Sequence, residues 1–253
     1  MTDSHAHYDD KAFESDRDAL LSSMNENGVS LIINVGDNAE SSKRSIALAE
    51  KYDFIYACVG IHPEHANDIT DRDYDEIKEL SKHEKVVAIG EIGLDYHYDG
   101  YNKDNQKELF RRQIKIAHEV NLPVVVHERD ACADVLEILK DEDIGKTGGL
   151  LHCFSGSVET LKIVMDMGMY ISLGGIVTFK NAKTAPEAAK HVPIDRLLLE
   201  TDCPYLAPAP FRGKRNNSIY MYYTAEKIAN LRGISFEELE AATDENAKRF
   251  YRI

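Results

Sequence analysis

Val124-Val125-Val126-His127-Glu128-Arg129-Asp130 holds the pattern from which the fold is read. Three β-branched apolar residues in a row suit a parallel strand buried on both faces. A histidine and charged residues follow at once, where the strand leaves the core. The same order, apolar run and then chemistry, recurs on both sides of this stretch. Strand-like runs occupy residues 1–6, 30–35, 54–60, 86–90, 123–126, 149–153, 169–173 and 197–201. Leu31-Ile32-Ile33 and Leu197-Leu198-Leu199 are as unbroken as the valine run.

Amphipathic stretches fill the gaps, at residues 12–27, 39–52, 71–83, 102–121, 131–140, 157–167, 181–191, 218–232 and 235–251. Within 102–121, Leu109, Phe110, Ile114, Ala117 and Val120 form a helical stripe. Gly28 supplies a stop signal for the first stretch, and Ser235 with Glu238 spells a capping box. Eight βα units in 253 residues predict an α/β fold, a single (β/α)8 TIM barrel forming one domain over residues 1–253. The competing architecture is an open doubly wound sheet. No GxGxxG or GxxxxGK[ST] follows the first strand, and no linker or low-complexity segment interrupts the rhythm.

Hydrophobic residues make up 43% of the chain, enough for a sizeable core. The net charge of −14 rules out a broad basic face for nucleic acid. Any such contact must be local or made through bound cations. No apolar run approaches the roughly 20 residues that span a bilayer, and no basic segment precedes an apolar one, so neither membrane nor export signal is expected. Cys58, Cys132, Cys153 and Cys203 form no CxxC pair, which suits reduced thiols and a cytoplasmic setting. Nothing points to an obligate protein partner.

The residues at the carboxyl ends of the runs decide the chemistry. His5 and His7 close the first, and residues i and i+2 of a strand share a face. His62 lies past the third, Glu91 follows the fourth, His127 the fifth, His152 closes the sixth and Asp202 follows the eighth. In a barrel these ends converge on one mouth, where active sites are built. Imidazoles with carboxylates suit a borderline divalent ion such as Zn²⁺, Mn²⁺, Co²⁺ or Ni²⁺. Four histidines and two carboxylates are too many for one catalytic ion with an open position. They suit two ions sharing a carboxylate, with Glu91 the natural bridge; Asp202 can ligate one and accept a proton from water. Mg²⁺ prefers oxygen ligands but remains a candidate for turnover.

Seven segments carry a resemblance to a known family. They are Asp3-Ser4-His5-Ala6-His7, Gly60-Ile61-His62-Pro63, Gly90-Glu91-Ile92-Gly93-Leu94-Asp95-Tyr96, His152-Cys153-Phe154-Ser155-Gly156, Gly174-Gly175-Ile176-Val177-Thr178-Phe179-Lys180-Asn181-Ala182, Leu198-Leu199-Glu200-Thr201-Asp202-Cys203-Pro204-Tyr205 and Arg212-Gly213-Lys214-Arg215-Asn216. Together they resemble the TatD metal-dependent deoxyribonucleases, barrels of the metal-dependent hydrolase type. The resemblance implies one ion held by His5, His7 and Glu91, completed by Asp202, and a second held by Glu91, His127 and His152. It implies hydrolysis of DNA phosphodiesters from single-stranded or 3′ ends. One departure stands out: Asn217-Ser218 replaces the Glu-Pro usual after Arg-Gly-Lys-Arg-Asn, which bears on substrate preference.

Several residues keep two readings. His62 either binds phosphate and protonates the leaving oxygen or holds the turn before Pro63. Arg212, Lys214 and Arg215, and more weakly Arg129, either grip phosphate or form a solvated surface. Glu200 and Asp95 are expected to orient ligands. His65, His83, His97, His118 and His191 read as surface residues, and strand alternation turns Cys153 away from the face of His152. Functionally, the competitor to a nuclease is an amidohydrolase-type enzyme acting on a small ester, amide or lactone. A binding module without activity is the third possibility.

Overall fold

The computed structural model describes residues 1–98, 100 and 102–253. Its strands are β1 (Thr2–Ala6), β2 (Leu31–Val35), β3 (Ile55–Val59), β4 (Val86–Asp95), β5 (Val124–Arg129), β6 (Gly149–Leu151), β7 (Tyr170–Leu173) and β8 (Leu197–Leu199). Its helices are α1 (Arg17–Ser22), α2 (Ala39–Lys51), α3 (Asp71–Leu80), α4 (Lys103–Val120), α5 (Cys132–Asp141), α6 (Val158–Asp166), α7 (Thr184–His191), α8 (Met221–Arg232) and α9 (Phe236–Tyr251). The eight strands are parallel and follow one another in chain order, the strand order of a (β/α)8 barrel. No described helix is long and apolar enough to cross a membrane.

Internal contacts divide the chain into two compact units. The first comprises Met1–Asn34, Cys153–Met165 and Tyr170–Ile253. In it β1 pairs with β2 through Thr2–Leu31 and Asp3–Ile32, and β7 with β8 through Ile171–Leu197 to Leu173–Leu199. Ala6 bridges Cys203, so the segment after β8 runs beside β1. Helix α9 fastens the first strand. The Met1 ammonium donates to Gly28 O at 2.6 Å and to Glu240 Oε1 at 3.0 Å. Thr2 N donates to Asp244 Oδ1 at 2.6 Å, and Tyr251 Oη to Ser4 O at 2.9 Å. His5 and His7 therefore sit on anchored backbone rather than on a loose terminus.

The second unit comprises Val35–His152 and Asp166–Met169. Its core strands β4 and β5 are longer than the apolar runs suggest, so Glu91 and His127 lie inside strands rather than after them. Glycine allows this. A Cβ on Gly93, whose φ is +146°, would stand 2.0 Å from His127 O, and one on Gly90 would stand 2.7 Å from Val125 Cβ. Without side chains at these positions, β4 and β5 approach closely on either side of Glu91.

The first helical stretch, expected over 12–27, is broken into a 3₁₀ turn at Lys11–Phe13, helix α1 and a second 3₁₀ turn at Asn25–Asn27. At the break, Arg215 Nη1 donates to Ala12 O at 2.6 Å, and Asp16 N turns to Phe13 O at 3.1 Å instead of to Ala12 O. The same guanidinium grips Asp16 with both arms, at 2.8 and 2.6 Å. The stop at Gly28 is present, with φ +79°, and the capping box of Ser235 and Glu238 forms at α9.

Candidate metal centre

Each unit carries a group of metal-type side chains drawn from the ends of the apolar runs. In the first unit, β1 delivers His5, the next residues deliver His7, and the turn after β8 delivers Asp202. The two Nε2 atoms stand 3.1 Å apart. Asp202 Oδ1 lies 3.4 Å from His7 Nε2 and 3.9 Å from His5 Nε2. Asp202 adopts a left-handed conformation, φ +54°, which aspartate tolerates, and its N–H donates to His5 O at 2.9 Å.

Beside this group lies a residue that opens the first motif but to which the sequence assigned no role. Asp3, fully buried on β1, accepts from Thr201 N at 3.0 Å, Thr201 Oγ1 at 2.6 Å, Ser218 Oγ at 2.6 Å and His5 N at 3.3 Å. Burial pushes its carboxyl up to about 6, against the pull of those four bonds. Asp3 thereby ties β1 to the residue preceding Asp202. Its signal in the sequence was a carboxylate on the same strand face as His5 and His7. The Asn217-Ser218 departure acquires a role here: Ser218 is one of the donors to Asp3, and Asn217 Oδ1 caps the following turn at Ile219 N, 3.0 Å. Glu200, also fully buried, is hydrogen-bonded by Ser172 of β7.

In the second unit Glu91 is the hub. Its Oε1 stands 2.7 Å from His127 Nδ1 and 2.8 Å from His152 Nε2, and those two nitrogens are 3.3 Å apart. His152 lies one residue past β6. Asp95 Oδ2 holds the other ring nitrogen of His127 at 3.1 Å. Burial lowers the His127 pKa, but the Asp95 and Glu91 carboxylates outweigh it and the net shift is upward. Burial raises Asp95, yet His127 and the His97 N–H bring it below the ordinary carboxylate range. His62, edge-on to His127 at 4.5 Å between centroids, is 3.8 Å from Glu91 Oε1. Burial, with His127 beside it, lowers its pKa to about 3, so the ring is neutral. Its Nδ1 accepts from Glu64 N at 3.3 Å, which leaves Nε2 as the donor. The turn role and an inward-facing donor therefore coexist in one residue.

Two buried amides of α4 position this group. Gln106 exchanges hydrogen bonds with the backbone of Asp95 at 2.9 and 2.8 Å. Gln113 does the same for Ile61, next to His62, at 2.8 and 2.9 Å. They lie two turns apart on one helix face, inside the apolar stripe, and that misplaced polarity was their only trace in the sequence. Gln113→Leu leaves the Ile61 N–H and C=O without partners. It is expected to lower the unfolding free energy by about 2–4 kcal/mol, read as a shifted urea midpoint. An unchanged midpoint would remove the amide clamp from this account.

The basic residues fare differently. Arg215 pairs with Asp16 and donates to Ala12 O, so its guanidinium is engaged within the fold. Arg212 is exposed, with its guanidinium 3.4 Å from the Phe179 ring centroid. Lys214 is exposed, and Arg129 stacks on Tyr98 at 5.2 Å. His83, His97, His118 and His191 join no metal-type group among the described residues, nor does Cys153. His65 lies with Asp37 and Glu64 in a separate, half-exposed group.

The donor sets fit divalent ions. Ligands about 2.1 Å from one ion stand roughly 3.0–3.4 Å apart at ordinary coordination angles. The imidazole pairs meet that spacing, at 3.1 Å for His5–His7 and 3.3 Å for His127–His152. Each pair has a carboxylate against it, and mixed nitrogen and oxygen ligands suit borderline metals.

Comparison with known proteins bears on this chemistry. A family model described as TatD related DNase matches residues 2–252. An uncharacterized metal-dependent hydrolase of Bacillus subtilis, YabD, is 51% identical over 253 residues, covering 100% of this chain and 99% of its own. A protein of Cronobacter sakazakii named 3′-5′ ssDNA/RNA exonuclease TatD is 34% identical, over 94% of this chain and 93% of its own. The crystal structure of YjjV, a TatD homologue from Escherichia coli, superposes with a TM-score of 0.94 at 31% identity, covering 100% of this chain and 98% of that one.

Proposed function

The chain belongs to the TatD related DNase family of metal-dependent hydrolases, and from that premise we propose that it is a 3′-5′ deoxyribonuclease acting on single-stranded DNA or 3′ ends. The observation that carries the reading is the Glu91 carboxylate, held within 2.8 Å of both His127 Nδ1 and His152 Nε2. We take residues 1–253 as one catalytic domain that binds two divalent ions. By the family resemblance, one ion would be held by His5, His7, Glu91 and Asp202 and the other by Glu91, His127 and His152. The ligating residues stand in the carboxyl halves of their strands or just past them. A cytoplasmic setting suits the free thiols at all four cysteines.

Divalent cations bound there would supply Lewis acidity for the scissile phosphodiester and for the attacking water. The protein's own residues do the rest. Asp202, on a turn fixed by the His5 carbonyl, accepts the water's proton. Asp95 sets the ring orientation of His127. Neutral His62 offers its Nε2–H toward the departing oxygen. Arg129, Arg212 and Lys214 are the residues we assign to neighbouring phosphates, and cations in the site would neutralise the substrate phosphate despite the net charge of −14.

One assay decides. The protein is stripped of metal, reloaded with Mg²⁺, Mn²⁺, Zn²⁺, Co²⁺ or Ni²⁺, and given labelled single-stranded DNA beside a panel of small esters and lactones. Mononucleotides released only after reloading support the proposal. Ester turnover with intact DNA would transfer the protein to the amidohydrolase-type reading.

A further inference from the structure

Resting on the nuclease reading, we propose that Tyr205 and Tyr98 are stacking platforms for the bases of a single-stranded substrate, one beside each metal-type group. Among the described residues these are the two most exposed large apolar or aromatic side chains, at 53% and 55%; Ile163 and Tyr222 follow at 44% each. Exposed aromatic area gives the fold nothing, and single exposed rings can fall anywhere on a surface. These two do not. Tyr205 lies three residues beyond Asp202, and Tyr98 three residues beyond Asp95, each on the loop leaving its group.

Both rings are braced. Tyr205 N donates to Asp202 O at 2.9 Å, its ring meets His7 edge-on at 6.4 Å, and its hydroxyl donates to Asp10 Oδ2 at 3.4 Å. Tyr98 accepts from Arg129 Nη1 at 3.4 Å, lies under that guanidinium at 5.2 Å, and abuts His97 at 4.9 Å. A ring held in place and open to solvent loses little freedom when a base stacks on it. Base–aromatic stacking tolerates any sequence because every base has a π-face.

The net charge favours the same kind of contact. At −14 the protein cannot draw a strand in with a broad positive groove, which is the usual source of non-specific affinity. Stacking supplies affinity that does not depend on net charge. It also selects structure: duplex bases are already stacked on each other and offer no free face, whereas single strands and frayed 3′ ends do. Tyr98 and Tyr205 are positioning residues, acting on the base and not on the reacting phosphate.

The test compares a fluorescein-labelled single-stranded 12-mer with an abasic oligomer of equal length, which has the same phosphates and no bases. Binding to the metal-loaded protein is read by anisotropy and turnover by gel. Tyr205→Ala and Tyr98→Ala are each expected to weaken 12-mer binding and raise KM about tenfold. kcat should change little, and the abasic oligomer should be indifferent. Tyr205→Trp should restore binding. Equal Kd and KM in the parent and both alanine variants would overturn the platforms while leaving the nuclease reading in place. So would equal losses on the abasic oligomer, which would mark a merely structural effect. A parent that neither binds nor cleaves the 12-mer would overturn the nuclease reading and this inference together.

Discussion

Glu91→Gln is expected to reduce turnover by about 10³-fold or more while leaving the fold intact. The substitution keeps the side chain's shape and removes its charge. Glu91 is buried and faces two imidazoles at 2.7 and 2.8 Å, so the carboxylate is the anion around which their ring nitrogens are arranged. An amide carries half the acceptor capacity and no charge, so it cannot neutralise a divalent ion. Bound metal, counted by elemental analysis, should fall together with activity, while far-UV circular dichroism stays that of the parent. His127→Ala should do the same through loss of the neighbouring nitrogen. A Glu91→Gln protein with full metal content and full activity would refute the assignment of Glu91 as the bridge.

Asp3→Ala is expected to be the most destabilising single change, at about 3–5 kcal/mol. The carboxylate accepts four hydrogen bonds in a fully buried position. Alanine leaves the Thr201 N–H and hydroxyl and the His5 N–H without this acceptor, turns the Ser218 hydroxyl back on Tyr8 Oη, and opens a cavity beside β1. For a chain of this size the loss corresponds to a fall in Tm of roughly 6–10 °C, measurable by calorimetry. Activity should fall further than unfolding explains, since Asp202 follows the residue that Asp3 holds. Ser218→Ala removes one donor and leaves the others, so its effect should be a fraction of the Asp3→Ala loss. A Tm within a degree or two of the parent in the Asp3→Ala protein would show that the network is not a clamp.

The alternation of strands and helices was legible in the sequence because it is local. An unbroken apolar run must be buried on both faces, and that requirement shows in three or four adjacent residues. The metal-type residues were legible for the same reason, since each follows its own run directly. His5 and His7 share a strand face by period alone. The motif set then assigned the family.

What the tertiary structure decided depends on residues far apart in the chain. Arg215, read as a phosphate contact, is paired with Asp16 and donates to Ala12 O, where the helix expected over 12–27 is interrupted. No window of sequence contains both partners. The lengthening of β4 past Glu91 follows from how closely β5 approaches Gly90 and Gly93, which a local pattern cannot express. Asp3, Gln106 and Gln113 resemble ordinary polar residues until the backbone groups they satisfy are known. A polar side chain's role is set by what it meets once water is excluded, and only the folded chain brings those partners together.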